Sequence, residues 1–277
     1  MTMRDALVWL TGRLARVSED LAGREAEEIL ERTLGCTRAE LHLSPDRPLS
    51  EQEYLTLQNI LEKRLGGTPL AYVLGRKYFH CLDIEVTPDV LIPRPDTEIL
   101  VESVLKNQSG TNQRFVDLCT GSGAVAAALI CQRPGWWAIA SDISLPALRV
   151  AGRNLTAQTA LVCSDLGGAF ACRKPFDFIT CNPPYISNAE MDGLDASVKD
   201  FEPHLALAAV DGLHFYRRLA LETPNLLGVE GRIFLEIGAG QAKDVRSIFE
   251  KYGWSDITVC QDLARRDRVV FATRPHD

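Results

Sequence analysis

Phe115-Val116-Asp117-Leu118-Cys119-Thr120-Gly121-Ser122-Gly123-Ala124-Val125-Ala126 is an apolar run, a turn with two glycines, and the opening of a helix. Parallel α/β sheets use that order to bring backbone close to a ligand. Gly121 and Gly123 permit the approach because no Cβ intervenes, and the first N–H groups of the helix have no partner within it. From residue 114 onward strands and helices alternate. Strands are predicted near 114–118, 136–141, 160–163, 177–181 and 231–237, and helices near 123–132, 145–156, 212–226 and 240–251. Two closing strands, near 256–261 and 268–273, are joined by a short turn and should be antiparallel. The expected fold is α/β, a seven-stranded mostly parallel sheet covered on both faces.

Upstream the pattern differs. Residues 1–75 read as a small helical bundle. Ala6, Leu7, Leu10, Leu14 and Val17 recur at helical spacing over 3–17, and a second helix covers 23–34 before Gly35. Thr37 with Glu40, and Ser50 with Glu53, are capping boxes. The second opens a helix that runs to Leu65 and stops at Gly66-Gly67. Residues 76–92 alternate like two short strands, a β-hairpin joining this domain to a second one over 93–277. Ile92-Pro93-Arg94-Pro95-Asp96-Thr97-Glu98 is a stiff double-proline lead into a helix at 96–107.

The 277 residues are 46% hydrophobic, enough for a buried core in one or two domains. A net charge of −7 argues against general affinity for nucleic acid phosphates. Arg217-Arg218 and Arg265-Arg266 read as ordinary solvated pairs. The first ten residues, with Asp5 inside the apolar stretch, read as an amphipathic helix rather than a signal peptide. No apolar run reaches membrane-spanning length, so a soluble cytoplasmic protein is expected. Eight cysteines without a C-x-x-C pair read as buried, reduced thiols, and five histidines show no metal-ligand spacing. His276 sits in a loose tail. No metal is expected.

Chemistry concentrates in Asn182-Pro183-Pro184-Tyr185, just after the predicted strand ending at Cys181. Two prolines lack N–H groups and hold their predecessors extended, so the segment is a stiff ledge at a strand's carboxyl end. An amide side chain, free carbonyl oxygens and an aromatic face suit a planar NH₂ group. A tight loop with a packing tyrosine is the alternative. Asp142 ends the second strand nineteen residues after Gly123, where a carboxylate can accept both ribose hydroxyls. Asp165, read as ending the third strand, would edge an adenine or cap a turn. Both aspartates also suit plain strand-end turns. Gly121-x-Gly-x-x-Ala126 fits the loose dinucleotide fingerprint, which raises a nicotinamide dehydrogenase. The late position of the loop, the closing antiparallel pair and the lack of a histidine near a later strand end count against it. S-adenosylmethionine needs a ribose acceptor and close backbone approach but no pyrophosphate site, and fits better.

Asp117-Leu-x-Thr-Gly-Ser-Gly, Asp142-Ile-Ser and Asn182-Pro-Pro-Tyr-Ile resemble class I (Rossmann-like) S-adenosylmethionine-dependent methyltransferases acting on amide or amino nitrogens. Gly67-Thr-Pro-Leu-Ala-Tyr-Val-Leu-Gly, Val86-Thr-Pro-Asp-Val-Leu-Ile-Pro-Arg-Pro-Asp-Thr-Glu, Leu235-Glu-Ile-Gly and Asp262-Leu-Ala-x-x-Asp-Arg-Val-Val are similar to HemK-type protein-glutamine methyltransferases. The nearest pattern is that of enzymes modifying the Gly-Gly-Gln glutamine of class I peptide chain release factors. The resemblance covers nearly the whole chain. It implies that Cys119, Thr120, Gly121, Ser122, Gly123, Asp142, Leu166 and Asn182 contact S-adenosylmethionine. It also implies that Asn182, Pro183, Pro184 and Tyr185 hold the substrate amide, with Asn182, Pro183 and Tyr185 catalytic.

The helical domain is read as the docking surface for a release factor, with an inert stabilising cap as the alternative, and a monomer without nucleic acid or membrane contact is expected. Arg94 and Glu98 would close over the pocket or bind the partner, or serve only a rigid linker. Glu202 and Glu236 read as structural. Cys119 departs from the pattern, since the family usually has glycine there, and a side chain at positive φ would crowd the loop. The rival readings are an adenine-N6 nucleic acid methyltransferase, a ribosomal-protein glutamine methyltransferase, and a non-catalytic S-adenosylmethionine-binding module.

Overall fold

The computed structural model describes residues 1–157, 159–170 and 175–275; Cys172 and His276 lie outside them. The chain divides into two compact units, Met1–Gly75 with Asp195–Phe201, and Arg76–Leu194 with Glu202–Asp277. The sequence did not announce that residues 195–201 belong with the helices.

The helical unit contains α1 (Met3–Leu14), α2 (Ala22–Leu34), α3 (Arg38–Leu43), α4 (Glu51–Leu65) and α5 (Leu70–Leu74). Both predicted capping boxes form, and Thr2 with Asp5 makes a third. Gly35 ends α2 in the left-handed region, and Gly67, at φ 93, turns the chain after α4. Leu10, Leu14, Ile29, Leu30 and Leu57 are fully buried in its core. A bidentate Arg64–Glu25 pair, at 2.9 and 3.1 Å, ties α4 to α2.

In the larger unit, β1 (Arg76–Phe79) and β2 (Leu82–Glu85) form the predicted hairpin. Then come α6 (Glu98–Asn107), β3 (Arg114–Leu118), α7 (Ala124–Gln132), β4 (Trp137–Asp142), α8 (Leu145–Asn154), β5 (Thr159–Cys163) and β6 (Phe176–Cys181). Two short parallel strands, β7 (Ile186–Ser187) and β8 (Ala208–Ala209), come before and after the short helix α9 (Ala196–Lys199), which belongs to the helical unit, and α10 (His214–Glu222) follows. The chain closes with β9 (Leu227–Glu236), α11 (Ala242–Lys251), β10 (Ser255–Gln261) and β11 (Asp267–Thr273). The sheet order is β5-β4-β3-β6-β9-β11-β10, with only the β11 pairings antiparallel. Order reverses between β3 and β6, the point where open α/β sheets bind ligands. The central strands are buried on both faces, where Phe115 stacks on Phe178 and Phe178 meets Phe234 edge to face, linking three of them.

Some expectations need correction. Helix α10 stops at Glu222 rather than 226, because Pro224 opens a separate 3₁₀ turn. Helix α1 stops at Leu14 rather than 17. Strand β5 ends at Cys163, so Asp165 lies beyond it in a turn. Arg217 pairs with Asp211, Arg218 with Asp165 and Glu222, and Arg266 with Asp262 rather than with water alone. Among the described residues only Cys181 is a buried thiol; Cys36, Cys119 and Cys260 are partly exposed, and Cys81, Cys131 and Cys163 are exposed. Apolar neighbours in sequence do not bury a cysteine that ends a helix or sits in a turn.

Candidate active site

A cavity of about 270 Å³ opens at the carboxyl ends of β3, β4, β5 and β6. Cys119, Thr120, Gly121 and Ser122 form one wall, Asp142, Ile143 and Ser144 the next, and Ser164, Asp165 and Leu166 a third. Asn182 and Pro184 close the strand-end side, facing Asp89, Val90, Leu91, Pro93 and Thr97. Leu205, Phe215 and Arg218 also line it.

Backbone geometry explains the loop. Cys119, Gly121 and Gly123 have φ of 56°, 54° and 79°. A Cβ on Gly121 would meet nothing within 4 Å, so this glycine faces open space where a ligand can lie against the chain. Gly123 is different. It is not on the cavity wall but begins α7, where a Cβ would press on Leu155 and Ala151 at 3.1–3.2 Å. Its role is close packing of α7 on α8. Cys119 takes a left-handed backbone that disfavours any side chain.

Asp142 accepts the Gly121 N–H at 2.9 Å and the Ser144 N–H at 2.9 Å. Burial raises its pKa, and these amides oppose the rise. Its carboxylate therefore shapes the loop and still presents lone pairs to the cavity, as a diol acceptor must. Leu166 is buried with φ 47, held by the Ser164 hydroxyl donating to its carbonyl at 3.0 Å. Asp165 pairs with Arg218 at 2.9 Å, so its carboxylate braces the rim.

Asn182 donates through Nδ2 to the Thr97 hydroxyl at 3.4 Å. Pro183 and Pro184 are buried, though only Pro184 reaches the wall. Tyr185 is off the wall as well and is gripped at both ends. Its hydroxyl meets Glu236 at 3.4 Å, and its carbonyl accepts from Gln241 Nε2 at 3.1 Å. Burial and the nearby Glu236 carboxylate raise the phenol pKa.

Two buried acids at strand ends organise this architecture. Asp117 accepts the Thr120 hydroxyl at 2.6 Å and the Thr180 hydroxyl at 2.7 Å, joining the loop to β6. Burial pushes its pKa up to about 6, against those two bonds. Glu236 meets the Tyr185 hydroxyl, and burial pushes its carboxyl up to about 7 against the lowering influence of the neighbouring Thr97 side chain. Asn154 is a third organiser. Its Nδ2 donates to the Glu85 and Ser122 carbonyls, each at 2.9 Å, and its Oδ1 accepts from the Glu85 N–H at 2.8 Å. The sequence reading gave Asp117, Thr97 and Asn154 no role and read Glu236 as structural only. An acid inside an apolar strand, as in Ile233-Phe234-Leu235-Glu236-Ile237, was the available signal for Asp117 and Glu236. Arg94 pairs with the buried Glu202, and Glu98 accepts the His80 N–H at 2.8 Å, so neither acts as a free gate.

Residues 5–75 match the PrmC N-terminal domain, and residues 95–201 match the methyltransferase small domain. The release factor glutamine methyltransferase of Nitratidesulfovibrio vulgaris is 36% identical, covering 99% of this chain and 95% of its own length. That of Thermodesulfovibrio yellowstonii is 39% identical, covering 89% of this chain and 91% of its own. The catalytic domain of hMettl16, solved in complex with MAT2A 3′UTR hairpin 6, superposes with a TM-score of 0.57 at 18% identity. It covers 82% of this chain and 83% of its own. That likeness shows the fold, and with the match to the methyltransferase small domain the fold is that of a class I Rossmann-like methyltransferase. With full-length relatives at this identity, the chain belongs to the release factor glutamine methyltransferase family.

Proposed function

We propose that this chain transfers the methyl group of S-adenosylmethionine to the side-chain amide nitrogen of the Gly-Gly-Gln glutamine of class I release factors. The names of the relatives support the substrate. The observation that carries the chemistry is one cavity holding both the open glycine loop and the Asn182 ledge. The space in front of Gly121, the Asp142 carboxylate and the apolar surfaces of Ile143, Leu166 and Phe215 fit a nucleoside carrying a sulfonium side chain. When bound, S-adenosylmethionine supplies an electrophilic methyl.

An amide nitrogen is a poor nucleophile because its lone pair is delocalised into the carbonyl. The protein's task is to hold that NH₂ group with its lone pair along the direction of attack. Thr97 engages the Asn182 Nδ2 and leaves Oδ1 to accept one amide hydrogen. The other is assigned to the Pro183 carbonyl, although Pro183 itself lies behind the wall, and Tyr185, gripped by Glu236 and Gln241 behind that wall, stiffens the ledge rather than facing the amide plane. Orientation of this kind contributes several kcal/mol. Acceptors aimed at the charge developing on nitrogen add an electrostatic share. The proton leaves to solvent after transfer. Cys119, Thr120, Gly121, Ser122, Asp142 and Leu166 hold the cofactor, and Gly123 sets the loop.

The helical unit docks the release factor, a role its own core and exposed Val8 and Leu43 can support. Val8→Asp and Leu43→Asp should then raise KM for the factor and leave cofactor affinity alone; unchanged KM would count against docking there. The chain is read as a cytoplasmic monomer, and among its described residues no helix is long and apolar enough to cross a membrane.

The reading is tested with labelled S-adenosylmethionine and three acceptors: purified release factor, the same factor with its Gly-Gly-Gln glutamine replaced, and DNA. Label on the intact factor alone is the expected result. Label on DNA, or equal label on both factors, would move the substrate elsewhere.

A further inference from the structure

Outside the cavity, the β1–β2 hairpin turn, α6 and the end of α7 bring four titratable side chains together, His80, Cys81, Glu102 and Cys131. Phe79 pairs with Leu82, so His80 and Cys81 form the two-residue turn. His80 adopts φ 55, and its backbone N–H is held by Glu98. Its Nε2 meets the Glu102 carboxylate at 2.8 Å, one helical turn further along α6. That leaves Nδ1 facing the Cys81 sulfur at 3.5 Å. Cys131, fifty residues away in sequence, places its sulfur 3.6 Å from that of Cys81. Gln132 Nε2 donates to Cys81 at 3.4 Å. Both cysteines are exposed to solvent.

We propose that Cys81 and Cys131 form a peroxide-reactive dithiol site, with Cys81 the attacking thiolate, His80 its ion-pair partner, Glu102 the orienting group and Cys131 the resolving thiol.

The polarity of the pair follows from its donors. Burial raises the Cys81 pKa, but hydrogen bonds from His80, Gln132 and Cys131 outweigh it and lower the net value. Cys131 is raised, first by that same bond to Cys81 and then by burial. For His80, burial favours the neutral ring, while bonds to Cys81 and Glu102 prevail and favour imidazolium. A thiolate is the nucleophile in this chemistry, so the asymmetry selects Cys81. Histidine and cysteine donors also suggest a metal. Among the described residues, however, no group of three or more His, Cys, Asp or Glu side chains is placed to hold one.

The reaction balances with a hydroperoxide as oxidant. The Cys81 thiolate attacks the terminal peroxide oxygen, an S–O bond forms and the O–O bond breaks. Two electrons pass from sulfur to the peroxide. The leaving alkoxide or hydroxide takes the proton from the His80 imidazolium, giving an alcohol or water and a Cys81 sulfenic acid. The Cys131 thiol then attacks that sulfur, an S–S bond forms, the S–O bond breaks, and water departs with the thiol proton. The sulfurs need close only from 3.6 Å to a bond of about 2.05 Å, within reach of side-chain rotation at an exposed turn. The bridge would tie the hairpin to the last turn of the helix whose first turn follows the glycine loop.

Cys163 is the internal control, an exposed thiol with no such histidine, its sulfur 3.6 Å from the Ile143 carbonyl. The full chain is treated with one equivalent of hydrogen peroxide near pH 7, alkylated and mapped without reduction. The expected product is a Cys81–Cys131 linked peptide that dithiothreitol reverses, with Cys163 still alkylatable. Cys131→Ser should halt at a Cys81 sulfenic acid trapped by dimedone. His80→Gln should slow oxidation of Cys81 roughly tenfold or more. Glu102→Gln should give a smaller slowing without altering the product. Oxidation of Cys163 as fast as Cys81, failure of dimedone to mark Cys81 in Cys131→Ser, or an unchanged rate in His80→Gln would each overturn the proposal.

Discussion

Asn182 and Thr97, separated by 85 residues, meet through one hydrogen bond at the wall of the cavity. Thr97 is itself buried at the start of α6, near enough to Glu236 to help hold that carboxyl's pKa down, and Glu236 also meets the Tyr185 hydroxyl at 3.4 Å. The two polar members of Asn-Pro-Pro-Tyr thus converge, one directly and one through Thr97, on the surroundings of a single carboxyl on β9.

Asn182→Ala should lower kcat by at least roughly a hundredfold while changing cofactor affinity little, because orientation is lost and the glycine loop remains. Thr97→Val frees the Asn182 amide to rotate and should lower kcat by roughly tenfold. Steady-state kinetics beside cofactor calorimetry decide. Equal losses of turnover and affinity would remove Asn182 from the substrate role.

Cys119→Gly relieves a left-handed residue at φ 56. The relief of about 1–2 kcal/mol is partly offset by the greater chain entropy of glycine, leaving a gain of roughly 0.5–1 kcal/mol. Cofactor affinity should tighten in the same variant. Urea unfolding and calorimetry measure both, and a lower midpoint would show that the Cys119 side chain stabilises more than its backbone strains.

Asp142→Asn replaces an acceptor of two backbone N–H groups by a half that accepts and a half that donates. The Gly121 N–H would then face a donor. Cofactor Kd should rise at least roughly tenfold, with further loss from the missing ribose acceptor. An unchanged Kd would place the nucleoside elsewhere.

Glu236 and Asp117 give the stability a definite pH dependence. Burial raises Glu236 from 4.5 to about 7 and Asp117 from 3.8 to about 6. For a carboxyl raised on folding, the unfolded chain releases its proton first. The contribution is therefore full below the unfolded pKa and is lost as pH rises through the folded value. Stability should fall between about pH 4 and pH 7, on the order of 3 kcal/mol for Glu236 alone. Glu236→Gln should flatten the upper part of that slope in denaturant titrations; an identical slope would show that Glu236 does not titrate there.

Asn154→Ala removes three bonds that hold the hairpin strand and the Ser122 carbonyl together. A loss of about 2 kcal/mol in stability and a several-fold weaker cofactor affinity should follow. Loss of stability with intact affinity would confine Asn154 to the scaffold.

Local signals were enough for the longer elements, though not for α5, α9, β7 and β8. Capping boxes span three residues, alternation shows within five, and a glycine-bearing turn between a strand and a helix is a contiguous string. These choices are made by short-range sterics and hydrogen bonds, so Phe115–Ala126, Ser50–Glu53 and Asn182–Tyr185 declared themselves. They set the order of strands and helices, the ledge, and the position of Asp142. The tertiary structure alone decided which loop glycine faces the cavity. Gly121 and Gly123 look alike in sequence, but α8 stands behind only one of them. It alone also joined Asn182 to Thr97, Tyr185 to Glu236, and Cys81 to Cys131, across 85, 51 and 50 residues. Such pairs carry no periodic trace, since their proximity comes from the crossovers that fold β3 beside β6 and the hairpin onto α7. Burial did the rest, turning Asp117 and Glu236 from two ordinary acids into the supports of the site.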